Sequence, residues 1–260
     1  MNMKLYMHYF TMKLKSQMQY KISFLLSMFG QFLTAFTFFY GISFIFDRIT
    51  SVDIFTYEHV IMCYAVVMMA FAIGEMFGGG LAVFPNLLRS GELDRVVVRP
   101  RSIILQVLAP NTDFTRLGLL LQAVVILCYA IPMSGIQWTR MKVFVLLCMI
   151  LCGSVLFFCL FLISAAVSFF TIEAMDFMTV FTYGAREFGR FPMAVYGEGV
   201  LKLMTYVIPL ALFQYYPLLY LIGRGEGILE IVSPLLSLLF VIPSYAFYRY
   251  AFSKYQSTGS

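Results

Sequence analysis

Residues 22–46 read ISFLLSMFGQFLTAFTFFYGISFIF, a run from Ile22 to Phe46 without one charged side chain. The run is 25 residues long. At about 1.5 Å per residue, a helix of that length reaches roughly 37 Å, enough to cross about 30 Å of hydrocarbon with some tilt. The rest of the chain repeats the pattern. Of its 260 residues, 61% are hydrophobic and 12% charged, about half the charged share of a soluble domain. A soluble fold of this size has no place to hide so much apolar surface, because much of its exterior must face water. The expected class is therefore an all-α polytopic membrane protein, with the lipid bilayer as its solvent. The net charge of +5 is no nucleic-acid signal. Lys and Arg fall in short segments between apolar runs, the positive-inside pattern, and not in one dense stripe.

Further uncharged or nearly uncharged runs mark spans at about 60–83, 117–138, 143–171 and 227–248. Residues 1–21 carry Lys4, Lys13, Lys15 and Lys21 and no acid, with apolar Leu5, Tyr9, Phe10 and Met12 recurring between them. They read as an amphipathic interface helix and not as a cleavable signal, whose apolar core is short and ends in small residues. Asp47, Arg48, Asp53 and Glu58 form a net acidic first loop, whereas Arg89, Arg95, Arg99, Arg101 and Arg116 make the segment after the second span basic. With the basic segments inside, both chain ends are expected in the cytoplasm and the number of spans is even, giving six. Either 172–190 or 198–222 is then the fifth. Pro192, Pro209 and Pro217 each interrupt the backbone ladder. Residues 191–222 therefore read as a re-entrant outer element, survivable at membrane depth only when buried in protein, and 172–190 as a short span. Glu198 and Lys202, spaced i and i+4, are placed to pair.

The segment 84–102 between the second and third spans is more structured than a connector requires. Pro85 suits a first helical position, Phe84, Leu87, Leu88 and Gly91 share a face, and Gly91 suits a helix end. Arg99-Pro100 stops any further helix. A short amphipathic helix along the membrane surface is expected; an ordinary solvated loop, basic because of topology, fits the same residues.

Here the chain resembles a family. Ser90-Gly91-Glu92-Leu93-Asp94-Arg95 followed by Val98-Arg99-Pro100 resembles the "GxLDxxLxRP" signature of permease subunits of ABC transporters, the type-2 exporter superfamily, with Val98 where Leu is common. Arg190-Phe191-Pro192, Tyr206-Val207-Ile208-Pro209 and Tyr215-Tyr216-Pro217 resemble its later "FP…viP…y.P" pattern. The resemblance implies one permease domain over 1–260 with an interface helix, six spans, a coupling helix between the second and third, and a re-entrant element before the sixth. It favours 172–190 as the fifth span. It implies ATP-driven export, a second permease of the same or a different kind, and two cytoplasmic ATP-binding subunits that hold the ATP and Mg. The contact with them would fall on Leu87, Leu88, Arg89, Gly91, Glu92, Leu93, Asp94, Arg95, Arg99 and Pro100. It points to a bacterial cell membrane. An amphipathic drug, lipid or peptide would suit the aromatic spans, but no residue names the substrate.

No Gly-rich loop with a following Lys-Ser or Lys-Thr is present, and Gly78-Gly79-Gly80 lacks the Lys. This chain is not expected to hydrolyse ATP, nor to be an enzyme. Cys63, Cys128, Cys148, Cys152 and Cys159 all lie in apolar runs and read as small hydrophobes, while His8 and His59 stand alone, so no metal site is expected. Glu75 is an acid within the second span. Such a residue is either a contact on the translocation path or a carboxylate that reaches cytoplasmic water or pairs with a nearby Arg. Glu173 and Asp176 read as a membrane boundary. The alternative function is a secondary transporter or channel not powered by ATP, against which stand the missing charge relay and internal repeat.

Overall fold

In the computed structural model, which describes residues 3–49, 51–171, 175–225 and 227–255, every regular element is a helix. Helix α1 (Met3–Gln17) leads through a single 3-10 turn, Met18–Tyr20, into α2 (Lys21–Phe46). Then come α3 (Tyr57–Gly78), the short α4 (Phe84–Arg89), α5 (Glu92–Val97) and α6 (Ile103–Leu108), and the long α7 (Leu117–Met133) and α8 (Arg140–Val167). The last third holds α9 (Met175–Gly189), α10 (Glu198–Tyr206), α11 (Leu210–Leu221), α12 (Ile228–Ser237) and α13 (Val241–Ser253). Five stretches are long and apolar enough to cross a membrane: His8–Phe46, Tyr57–Arg89, Phe114–Met133, Arg140–Val167 and Ile228–Ser253. The count becomes six if the bent pair α10 and α11 is taken as one.

These stretches cover the five spans expected from apolar length, with shifted ends. The basic segment before residue 22 forms the helix α1, joined to α2 through the 3-10 turn Met18–Tyr20. Its Phe10 ring packs on Phe77 and Phe114 at 5.9 and 4.7 Å. Helix α9, inside the 172–190 segment, has 15 residues, a rise of roughly 22 Å. Residues 172–174, including Glu173, and the side chain of Asp176 lie outside the described residues. Helices α10 and α11 meet at a bend of 113°, with Pro209 at the N-cap of α11 and Pro217 inside it. A bend that large makes the pair either a broken span or a re-entrant loop.

Helix α3 is the axis of the bundle. Of its apolar stretch 78% is buried, against 6% of that containing α2. Apolar side chains have no hydrophobic reason to leave lipid, so helices here associate by close packing. Small residues permit it. A Cβ on Gly74 would lie 2.8 Å from the Phe157 Cβ and 2.9 Å from the Ser154 carbonyl oxygen of α8. Gly153 of α8 faces the Phe213 ring of α11 and Ala70 of α3 just as tightly. Phe71, Phe157 and Phe213 fill the space between these helices edge to face. Polar ties add direction. The Tyr64 hydroxyl donates to the Ala35 carbonyl at 2.9 Å, joining α3 to α2. Lys142 Nζ donates to the Leu221 carbonyl at 2.8 Å, joining the start of α8 to the end of α11.

The close approach is testable. Gly74→Ala forces α3 from α8 and should lower stability by about 1–3 kcal/mol, the usual cost of overpacking, read as a lower thermal midpoint in detergent. Gly30→Ala, where an added Cβ has nothing within 4 Å, should leave that midpoint unchanged or slightly raised.

Candidate coupling site

The chain does not break where α3 ends. A 3-10 turn, Gly79–Val83, carries it into α4 with Pro85 in the first helical turn, where no amide proton is needed. Gly91 stops α4 at φ 68°, a left-handed conformation that a Cβ disfavours. The chain re-enters helix at once as α5, so the single helix expected here is an elbow of two. Glu92 and Asp94 occupy the first turn of α5, where negative charge favours the helix. The Gln106 side-chain amide donates to the carbonyls of Val96 and Arg101 at 3.2 and 3.1 Å, folding the exit back beneath the elbow.

The elbow has two faces. Phe84, Pro85, Leu88 and Leu93 are buried and Leu87 is half-buried, so the leucines pack against their own bundle. Arg89, Glu92, Arg95, Arg99 and Pro100 are exposed, and Val98 stands 84% exposed at the tip. Asp94 behaves differently from the other charges. Its Oδ1 accepts a hydrogen bond from the Tyr255 hydroxyl at 2.7 Å. Burial and the neighbouring Asp94 carboxylate push the Tyr255 phenol up to about 12, so it keeps its proton, and donates, at neutral pH. Tyr255 stacks on Phe252 and meets Phe169 edge-on.

A second polar cluster surrounds Glu75, which is 2% exposed. Its Oε1 accepts from the Tyr183 hydroxyl of α9 at 2.6 Å, and its Oε2 lies 3.2 Å from Arg116 Nε. Arg116 also lies 3.4 Å from Asp113 and donates to Gln31 Oε1 of α2 at 3.2 Å. The Arg186 guanidinium covers the Phe71 and Tyr183 rings at 4.8 and 5.3 Å. Of the two readings of Glu75, pairing with an Arg has its geometry here: the carboxylate joins α2, α3, α9 and the turn before α7.

The outer-element residues form a separate group. Pro192 opens the 3-10 turn Met193–Tyr196. Glu198 and Lys202 pair at 3.3 Å, both largely exposed, a contact worth little. The backbone at Gly189 and Phe191, around the motif 190–192, is held by a side chain that the sequence did not single out. The Gln214 amide of α11 donates to the carbonyls of Gly189 and Phe191 at 2.8 and 2.6 Å. Arg190 pairs with Glu187 and lies 3.9 Å above the Phe38 ring. His59 closes a capping box with Thr56 at the start of α3. Neither Pro192, Glu198, Lys202, Pro209 nor Pro217 belongs to the elbow or to the Glu75 cluster.

A bundle of long apolar helices around a buried axis, continued by a polar elbow, is the architecture of an integral membrane protein. Residues 32–259 match the family described as ABC-2 family transporter protein, and the chain belongs to that family. No curated protein and no solved structure matches it.

The Glu75 cluster makes its own prediction. Arg116→Met leaves a buried carboxylate without its cation and should destabilise the bundle by about 3–5 kcal/mol, while Glu75→Met with Arg116→Met recovers most of the loss. Denaturation of the single and double variants in the same detergent measures it. A Glu75→Gln variant that abolishes transport at unchanged stability would instead make Glu75 a path residue.

Proposed function

We propose that this chain is the permease subunit of an ATP-driven exporter, and that a separate cytoplasmic ATP-binding subunit works on it through the elbow at 84–102. The observation that carries this reading is the division of the elbow. Phe84, Leu88 and Leu93 anchor it in the bundle, while Arg89, Glu92, Arg95, Val98 and Arg99 face outward. Because α3 continues through a 3-10 turn into α4, a sideways push on the elbow bears directly on the buried axis of the bundle. The exposed charges would fix register and partner choice more than affinity. Asp94, bound inward to Tyr255, belongs to the support of the surface more than to the surface itself.

The family match supports the partner, since ABC-2 permeases generally work with an ATPase. ATP and Mg belong to that subunit. A second permease, alike or different, completes the path. The elbow and both chain ends face the cytoplasm when α9 is read as a short fifth span and α10–α11 as an outer re-entrant hairpin. The lysines of residues 1–21, the arginines of the elbow and Arg249 and Lys254 then lie on the positive-inside side of a cell membrane.

Purification from native membranes in mild detergent should bring down a phosphate-loop ATPase, and the pair should hydrolyse ATP. Arg95→Glu combined with Val98→Asp, both on exposed positions, should weaken that association at least tenfold, or ~1.4 kcal/mol, with an unchanged thermal midpoint of the permease. Transport in vesicles free of ATP, by a chain that binds no ATPase, would replace this reading with a secondary transporter or channel.

A further inference from the structure

We propose that the segment at the end of α13 is a working part of the elbow: Tyr255 holds Asp94 and so ties α5 to α13, delivering a displacement of the elbow to the last span as well as to α3. The proposal rests on the function just given and adds a second route for the motion.

The tie has two attachment points. One is the hydrogen bond from the Tyr255 hydroxyl to Asp94 in α5, closing a separation of 161 residues at 2.7 Å. An ionised acceptor makes such a bond stronger than a neutral one. The other is a cluster of rings. Tyr255 stacks on Phe252, and Phe252 on Tyr248, with interplanar angles of 15° and 14°. Phe169, just beyond α8, meets all three edge-on, at 5.9, 5.8 and 6.2 Å. Phe84, the first residue of α4, lies 5.7 Å from Phe169 and 6.2 Å from Tyr248. The end of α13 therefore grips the elbow at Phe84 and at Asp94, one on each side of Gly91.

Two points of attachment fix an orientation, where one would leave a pivot. This matters for α5 in particular. A helix of six residues is far too short to persist by its own hydrogen bonds. Its other supports include the buried Leu93 side chain, the packed Val96 and the Gln106 amide. Without the Tyr255 bond, α5 is held less firmly about Gly91 when pushed, and part of the push is lost at the hinge. With it, α5, α4 and the last turns of α13 move as one body.

The test uses the full chain in lipid nanodiscs. Tyr255→Phe keeps the ring stack and removes only the donor. Hydrogen exchange of the amides at 94–98 should then quicken about tenfold, whereas Asp94→Asn, which keeps an acceptor oxygen but loses the charge, should quicken it only about threefold. Unchanged exchange in Tyr255→Phe overturns the clamp. In the assembled complex, Tyr255→Phe should leave the ATPase concentration for half-saturation within about twofold and lower the permease-stimulated turnover at saturation about fivefold, with Asp94→Asn retaining most of it. Weaker association with normal turnover at saturation overturns the transmission, because Tyr255 would then only shape the docking surface. An unaltered permease that binds no ATPase overturns the function proposed above, and the exchange measurement still decides the clamp by itself.

Discussion

The burial of α3 on all sides is the constraint from which the other features follow. A helix in lipid gains nothing by exchanging one apolar neighbour for another, so it can be the axis only if its neighbours approach very closely. Gly74 and Gly153 make that approach, and the rings of Phe71, Phe157 and Phe213 are sized to what remains. Once α3 is immobilised in this way, whatever leaves its end is also immobilised. The elbow leaves its end through a 3-10 turn and is pinned by Phe84, Leu88 and Leu93. Position and orientation of the exposed charges on the elbow are thus properties of the bundle, set many residues away from the charges themselves.

Apolar contacts alone would tolerate several arrangements of such helices. The buried polar groups remove the tolerance. Glu75 finds Arg116 and Tyr183, and Arg116 finds Gln31, so α2, α3, α9 and the turn before α7 meet in one register. Gln214 does the same for α11 and the segment after α9. An unpaired polar group at such depth is costly, and a slip of one turn would unpair several together.

The spans were readable because apolar length is a local property, and the elbow because Pro85, Gly91 and Pro100 punctuate it locally. Interactions between distant residues were not readable. Glu75 was visible as an intramembrane acid, yet Arg116 looked like one more basic residue of a loop, 41 positions later. Gln214 is an amide in an apolar helix and gives no sign of the carbonyls it meets. Asp94 matches a motif position expected to face a partner, and only the arrangement of α13 shows that it faces Tyr255. Charge and parity located the irregular stretch between 172 and 222, but whether α9 or the bent pair crosses is a matter of length and angle. Neither α9 nor α10 nor α11 is long by itself, because Pro192 and Pro209 cut the chain into pieces.

The bare flank of α2 bears on how the molecule is made. Its ties to α3 lie in its second half, at Ala35 with Tyr64 and Ser43 with Tyr57. Its first half is met by residues that follow much later in the chain. The Met28 carbonyl sits against Gly118, and Gln31 bonds to Thr115 and Arg116. A chain emerging from the ribosome therefore places α2 in the bilayer long before its lower partners exist. The first half of α2 must endure without these partners, on hydrocarbon length and internal hydrogen bonding, and docks fully only after residue 118 has been synthesised. Its uniform apolarity, with no acid or base from Ile22 to Phe46, is what such a wait requires.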